Sequence, residues 1–269
     1  MASPSFPVSR RANVHSSAEG SREWGIAEEV PVEIGFNGTA WTVMMASPTD
    51  VEDLAIGLAL TEGAVASGRD IKTVAIRQWP EGLTADIRIA PDLVRSDRIH
   101  RRALDGRTGC GLCGVEQLAD LHAPPSALPP GPRVEAAAIR AALDALPGHQ
   151  HLNRETRSVH AAAWCRLDGE IILVREDIGR HNALDKLAGA RLRGGEPDDA
   201  GFVVMSSRCS FELVFKAARM REAIEGVAVH IRKFWDPGMR DRLIALSQSP
   251  DAGLRPTITA AITRLIALS

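Results

Sequence analysis

A chain of 269 residues, 45% hydrophobic and 25% charged, has the composition of a globular protein with enough apolar mass for one large core or two smaller ones. Its formal net charge of −2 gives no whole-molecule attraction to nucleic acid or to anionic membranes, and no uncharged apolar run approaches the length of a membrane span. Its 4 cysteines (Cys110, Cys113, Cys165 and Cys209) are too few for a disulfide framework in a chain this long, so the expected setting is the cytoplasm, where thiols stay reduced.

Residues 1–24 hold a twin arginine, Arg10-Arg11, with no apolar stretch behind it, so a disordered polar tail is expected rather than an export signal. Residues 25–105 suggest a smaller α+β region. In "PVEIGFNGTAWTVMMA", Val32, Ile34 and Phe36 alternate, Asn37-Gly38 signals a type I′ turn, and Val43 and Met45 alternate on the return. "SPTDVEDLAIGLALTEG" predicts a helix capped by Ser47 and ended by Gly63, with Val51, Leu54, Ala55 and Leu58 on one face. "TVAIRQW" and "LTADIRIA" predict two further strands.

A cysteine loop and proline-rich connector, residues 106–133, lead into a second region over 134–269. "VEAAAIRAALDAL" predicts a helix that Pro147-Gly148 ends. Two strand–polar turn–helix units follow in succession, "EIILV"–"REDIGRH"–"NALDKLAGARL" and "FVVM"–"SSRCS"–"FELVFKAA". In such α/β sheets, ligands sit beyond the carboxyl ends of strands, beside helix N-termini. The hexapeptide "RLIALS" occurs at 242–247 and again at 264–269, too little for a repeat architecture.

Three places carry chemistry. "RTGCGLCGVEQL" sets Cys110 and Cys113 three apart among glycines, at the start of a helix-like pattern. The spacing fits half a zinc site, a disulfide or reactive thiols. Proximity to unpaired helix N–H groups favours the thiolate, and no second ligand pair accompanies it, so reactive thiols are preferred. Cys165 and Cys209 read as ordinary buried cysteines. In "REDIGRHNALDK", Arg180, His181 and Asn182 at a strand-to-helix turn suit a phosphate or a heterocycle edge, whereas Asp185 and Lys186 read as a solvated helix start. "SSRCS", with Ser206 and Arg208, suits an anion or a simple serine cap. His160 reads as structural. A zinc deaminase carries His-x-Glu, but Ala162 stands where that glutamate would be.

Taken together, "EEVPVEIGFNG", "MASPTDVEDLAIGLALTEG", "GCGLCG", "VHAAA", "REDIGRHNALDKLAGA" and "SSRCSFELVFKAA" resemble the signatures of the FdhD/NarQ family, in the family's order, from about Glu28 to Ala218. The resemblance implies a cytidine-deaminase-like mixed α/β sheet with flanking helices and a homodimer. It also implies a sulfurtransferase that accepts sulfur from a cysteine desulfurase as a persulfide. That sulfur passes to the molybdenum cofactor, in its bis-molybdopterin guanine dinucleotide form, which formate dehydrogenase requires. By position in the motif, Cys110 would carry the persulfide and Cys113 would assist or substitute. The cofactor would be a bound substrate, with Arg180, His181, Asn182, Ser206 and Arg208 as candidate contacts and no permanent metal. Two departures stand out. "ETRSVH" replaces the family's Thr-Gly-Gly before the histidine, and after Ala218 the family's closing strand and turn motifs are absent. Divergence or a changed reading frame accounts for that end, and its abruptness favours the frame change. A non-catalytic cofactor chaperone for formate dehydrogenase and a zinc-dependent deaminase-like enzyme are the competing functions.

Overall fold

The computed structural model describes residues 6–17, 20–95, 132–194, 200–210 and 212–220. Cys110, Cys113, the proline-rich connector and everything after Met220 lie outside the described residues.

Where a disordered tail is expected, β1 (Ser9–Ser16) and β2 (Gly20–Ala27) pair antiparallel. The short helix α3 (His151–Thr156) anchors them. The Trp24 indole donates to the Thr156 carbonyl at 3.2 Å, and the Ser9 hydroxyl donates to Glu155 at 2.8 Å. The polar sequence misleads because this hairpin depends on a helix far along the chain for its support.

The next sheet has the order β4-β3-β6-β5, with β3 (Val30–Phe36), β4 (Thr39–Ala46), β5 (Ile71–Trp79) and β6 (Gly82–Ile89). Asn37 (φ 52) and Gly38 (φ 87) make the expected primed turn, which suits the twist of the strands it joins. The Asn37 side chain accepts from the Ile89 N–H and Asp86 accepts from the Gly38 N–H, tying the turn to β6. Helix α1 (Val51–Thr61) is buried over nearly its whole length rather than along one stripe. Its cap differs from expectation. Asp50 (φ 51) stands at the N-cap, but its side chain does not bond to the helix N–H groups, while Ser47 is buried and serves another element. Gly63 (φ 73) ends the helix as expected.

The third sheet runs β8-β7-β9, with β7 (His160–Arg166) central and antiparallel to both β8 (Ile171–Asp177) and β9 (Gly201–Met205). The alanine-rich β7 divides its side chains by period two. Ala161, Ala163 and Cys165 face a core with Ala142 and Leu146 of α2 (Ala136–His149), whereas Ala162 faces α4 (Arg180–Gly194). Pro147 lies inside α2 rather than ending it. Residues 212–220 form α5, whose Leu213 and Met220 join the α4 core.

Helices α1 and α4 cross where neither has a side chain. A Cβ at Gly57 would sit 1.7 Å from the Asp185 carbonyl oxygen, and one at Gly189 would sit 1.9 Å from that of Asp53. This contact joins the two regions into one packed body. Polar links reinforce it. Asp53 accepts from Arg175 at 2.8 Å and from Arg193 at 2.7 Å. Asp185 accepts from Thr61 at 2.6 Å and pairs with Lys216, which also reaches Glu62 at 2.7 Å. Asp185 and Lys186, expected at a solvated helix start, are both fully buried.

Candidate functional site

Because β7 runs opposite to its neighbours, its first residue and the last residues of β8 and β9 share one edge. His160 pairs with Asp177, and Ala162 with Met205. Both polar turns leave the sheet there, each opening a helix.

The β8–α4 turn is held from beneath by buried groups. Asp177 uses one carboxylate oxygen for the Gly179 N–H (2.8 Å) and Asn182 (3.0 Å), and the other for the Ser47 N–H (3.0 Å) and Lys186 (2.7 Å). Ser47 answers in turn, its hydroxyl accepting from the Ile178 N–H at 3.2 Å and its carbonyl from Lys186 at 3.0 Å. Asn182 also donates to the Met45 carbonyl at 2.9 Å. Ser47 is thus a latch for this turn, and the amide donors of Asn182 are engaged within the scaffold. Glu176 faces the other way, its carboxylate accepting the Leu152 and Asn153 N–H groups at the start of α3.

The β9–α5 turn is fixed at its first residue. Ser206 prolongs the ladder, its N–H donating to the Ala161 carbonyl at 3.0 Å and its hydroxyl accepting from the Ala161 N–H at 2.9 Å. Arg208 and Cys209 beyond it are exposed, so Cys209 is not the buried cysteine expected from its flanks. Cys165 is buried as expected, and burial pushes its thiol up to about 11, which leaves it inert near neutral pH.

Cations gather over this edge. Partial burial, then Arg180, then Arg208 hold the His160 imidazole below the ordinary histidine range. His160, set down as structural from sequence, therefore stands within electrostatic reach of arginines from both turns. His181 turns toward α5, with Nε2 2.9 Å from Glu212 Oε2. Glu212 is the member that the sequence reading passes over, and His160 is the one it reads as structural. The acidic residue in the first turn after "SSRCSF" was the only local sign of Glu212. Arg180 and Arg208, one from each turn, make this edge basic and suited to an anion. Among the described residues, no group of three His, Cys, Asp or Glu side chains could hold a metal ion, and no helix is long and apolar enough to cross a membrane.

The chain belongs to the FdhD/NarQ family, whose profile matches residues 27–225. Its relatives include proteins named Sulfur carrier protein FdhD. One from Variovorax paradoxus is 45% identical over 201 residues, covering 75% of this chain and 72% of that protein. One from Cupriavidus necator is 44% identical over 193 residues, covering 72% of this chain and 67% of that protein. A crystal structure from Desulfotalea psychrophila, assigned as a formate dehydrogenase accessory protein, shares the mixed α/β fold. Its TM-score is 0.56 at 21% identity, with 80% of each chain covered.

Residues 214–262 match a second family, described as the delta subunit FdsD of NADH-dependent formate dehydrogenase. The atypical end is thus similar to a second family, so that FdhD-like and FdsD-like sequence follow one another along the chain.

Proposed function

We propose that this protein is a sulfurtransferase that receives sulfur from a cysteine desulfurase on Cys110 and delivers it to the molybdenum cofactor of formate dehydrogenase. One observation carries the reading: a chain of this family, with relatives named as sulfur carriers, contains the glycine-flanked Cys110/Cys113 pair. The Cys110 thiolate attacks the outer sulfur of the donor persulfide. The donor S–S bond breaks, the donor cysteine leaves as thiolate, and Cys110 becomes the persulfide without net oxidation. Release as sulfide takes two electrons, which Cys113 supplies by attacking the Cys110 sulfur and closing a disulfide that a cellular thiol later reduces. The basic edge of Arg180 and Arg208, with Ser206 and His181, suits the phosphates of bis-molybdopterin guanine dinucleotide as the bound substrate. Asn182 acts through the turn it braces. The strand order around β7 is in keeping with a cytidine-deaminase-like architecture, and the family resemblance is what suggests a homodimer.

The test is mass spectrometry after incubation with a cysteine desulfurase and cysteine. Cys110→Ala is expected to lose persulfide labelling, and undiminished labelling on Cys113 would reverse the assignment. Rescue of formate dehydrogenase by a variant lacking both cysteines would favour a cofactor chaperone instead.

The FdsD-like segment supports a particular recipient, an NADH-dependent formate dehydrogenase, with the tail as its docking element. A tether of this kind replaces a bimolecular encounter by a local concentration in the millimolar range. Truncation after Met220 is expected to abolish co-purification with that enzyme while leaving desulfurase-dependent labelling of Cys110 intact. Unchanged co-purification would rule the docking role out.

A further inference from the structure

The two turns of the basic edge are fixed from different sides. Ser206 ties the β9–α5 turn to β7, its neighbour in the same sheet. The β8–α4 turn takes its support from the loop between β4 and α1, where Ser47 lies 131 residues ahead of Ile178. The Ser47 hydroxyl accepts the Ile178 N–H at 3.2 Å, and the Ser47 N–H donates to Asp177 at 3.0 Å. The Met45 carbonyl accepts from Asn182 at 2.9 Å, and the Ser47 carbonyl accepts from Lys186 at 3.0 Å. Asp177 passes the restraint on, since its other oxygen accepts the Gly179 N–H at 2.8 Å. Two successive amides are therefore held immediately before Arg180, the first residue of α4.

The fit is close. A Cβ at Gly179 would lie 3.0 Å from the Asn182 amide nitrogen and 3.3 Å from Asp177 Oδ1, so the backbone rests directly on its braces. Ser47, Asp177 and Lys186 are fully buried. An amide that loses its acceptor in such a place gains no bulk water in exchange. A long binding side chain is placed only as well as the backbone that carries it, and here that backbone is held by groups with no freedom to move.

We propose that Ser47 is a positioning residue that sets the aim of Arg180 through the Ile178 and Gly179 backbone, and so governs the grip of the basic edge on a phosphate-bearing ligand. This rests on the phosphate-site reading above. Arg180 takes its place from the N-terminal region, and Arg208 follows a turn fixed on β7. Loss of the Ser47 hydroxyl should disturb the first arginine and spare the second. A purely structural role predicts otherwise: Ser47→Ala would lower stability and leave the affinity of the folded chain unchanged.

The experiment measures inorganic pyrophosphate binding to the full chain, and amide hydrogen exchange at Ile178 and Gly179, in Ser47→Ala and in Thr61→Val. Thr61 donates to Asp185 at 2.6 Å in the same α1–α4 junction but at the opposite end of α1, so its variant controls for a lost buried hydrogen bond. Ser47→Ala is expected to weaken pyrophosphate about fivefold and to raise exchange selectively at both amides, and Thr61→Val to do neither. In an Arg180→Ala background the effect of Ser47→Ala on affinity should vanish, and in an Arg208→Ala background it should persist. Unchanged affinity or unchanged exchange in Ser47→Ala, equal weakening by Thr61→Val, or a full Ser47 effect without Arg180 overturns the proposal. A native chain that binds no pyrophosphate sinks the phosphate-site reading. Exchange then decides the brace by itself, upheld if both amides open in Ser47→Ala and overturned if they do not.

Discussion

Gly57→Ala and Gly189→Ala are each expected to lower stability by about 3 kcal/mol or more, measured by urea unfolding. In both cases the new methyl would lie within 2 Å of a carbonyl oxygen on the facing helix, 1.7 Å at Gly57 and 1.9 Å at Gly189. Backbone cannot rotate away as a flexible side chain can, so α1 and α4 must separate. Separation also draws Asp53 from Arg193 and Thr61 from Asp185. The double variant is expected to lose much less than the sum of the singles, since either methyl alone forces the same movement. Additive losses, or a single variant with the native urea midpoint, would show that the crossing tolerates a wider gap.

Lys216→Met is the second large effect. It leaves Asp185, which is fully buried, without its cation, and removal of one partner from a buried pair costs about 3–5 kcal/mol. Its pH dependence has a definite sign. Burial raises the Asp185 carboxyl above its ordinary value, and Lys216 is the largest opposing influence. A carboxyl raised on folding binds its proton more tightly in the folded chain, so its contribution to stability falls as pH rises through the folded value. Without Lys216 the raised value climbs further. The variant should therefore approach native stability in acid and diverge from it as pH rises, in parallel denaturation series. Adding Asp185→Asn should recover most of the loss at high pH; a gap that stays constant with pH would place the damage in packing rather than charge.

These sites mark where local reading of the sequence ends. The Asn37-Gly38 turn and both strand–turn–helix units were legible because each depends on neighbours within a few residues. Burial of Asp185 and Lys186 was not, since their partners lie on α5, β8 and the Ser47 segment, remote in sequence. Ser47 illustrates the limit well. A serine before Pro48 at the head of an apolar run has every local mark of a cap, yet its bonds go to Asp177, Ile178 and Lys186. The candidate site divides in the same way. Arg180, His181, Ser206 and Arg208 stand out by their places in turns, which are local. His160 and Glu212 join them only because antiparallel β7 brings its first residue to the same edge and α5 packs beside α4.

The crossing of α1 and α4 also bears on how the chain is made. Helix α1 is apolar and buried almost all round, but the surface that covers one side of it belongs to residues 180–194. During synthesis, the N-terminal sheet can assemble on the other side while that surface is still inside the ribosome or not yet translated. Through that interval the nascent chain displays an unprotected apolar helix. Chaperone binding to ribosome-bound chains should therefore peak before residue 194 emerges and fall once α4 has docked.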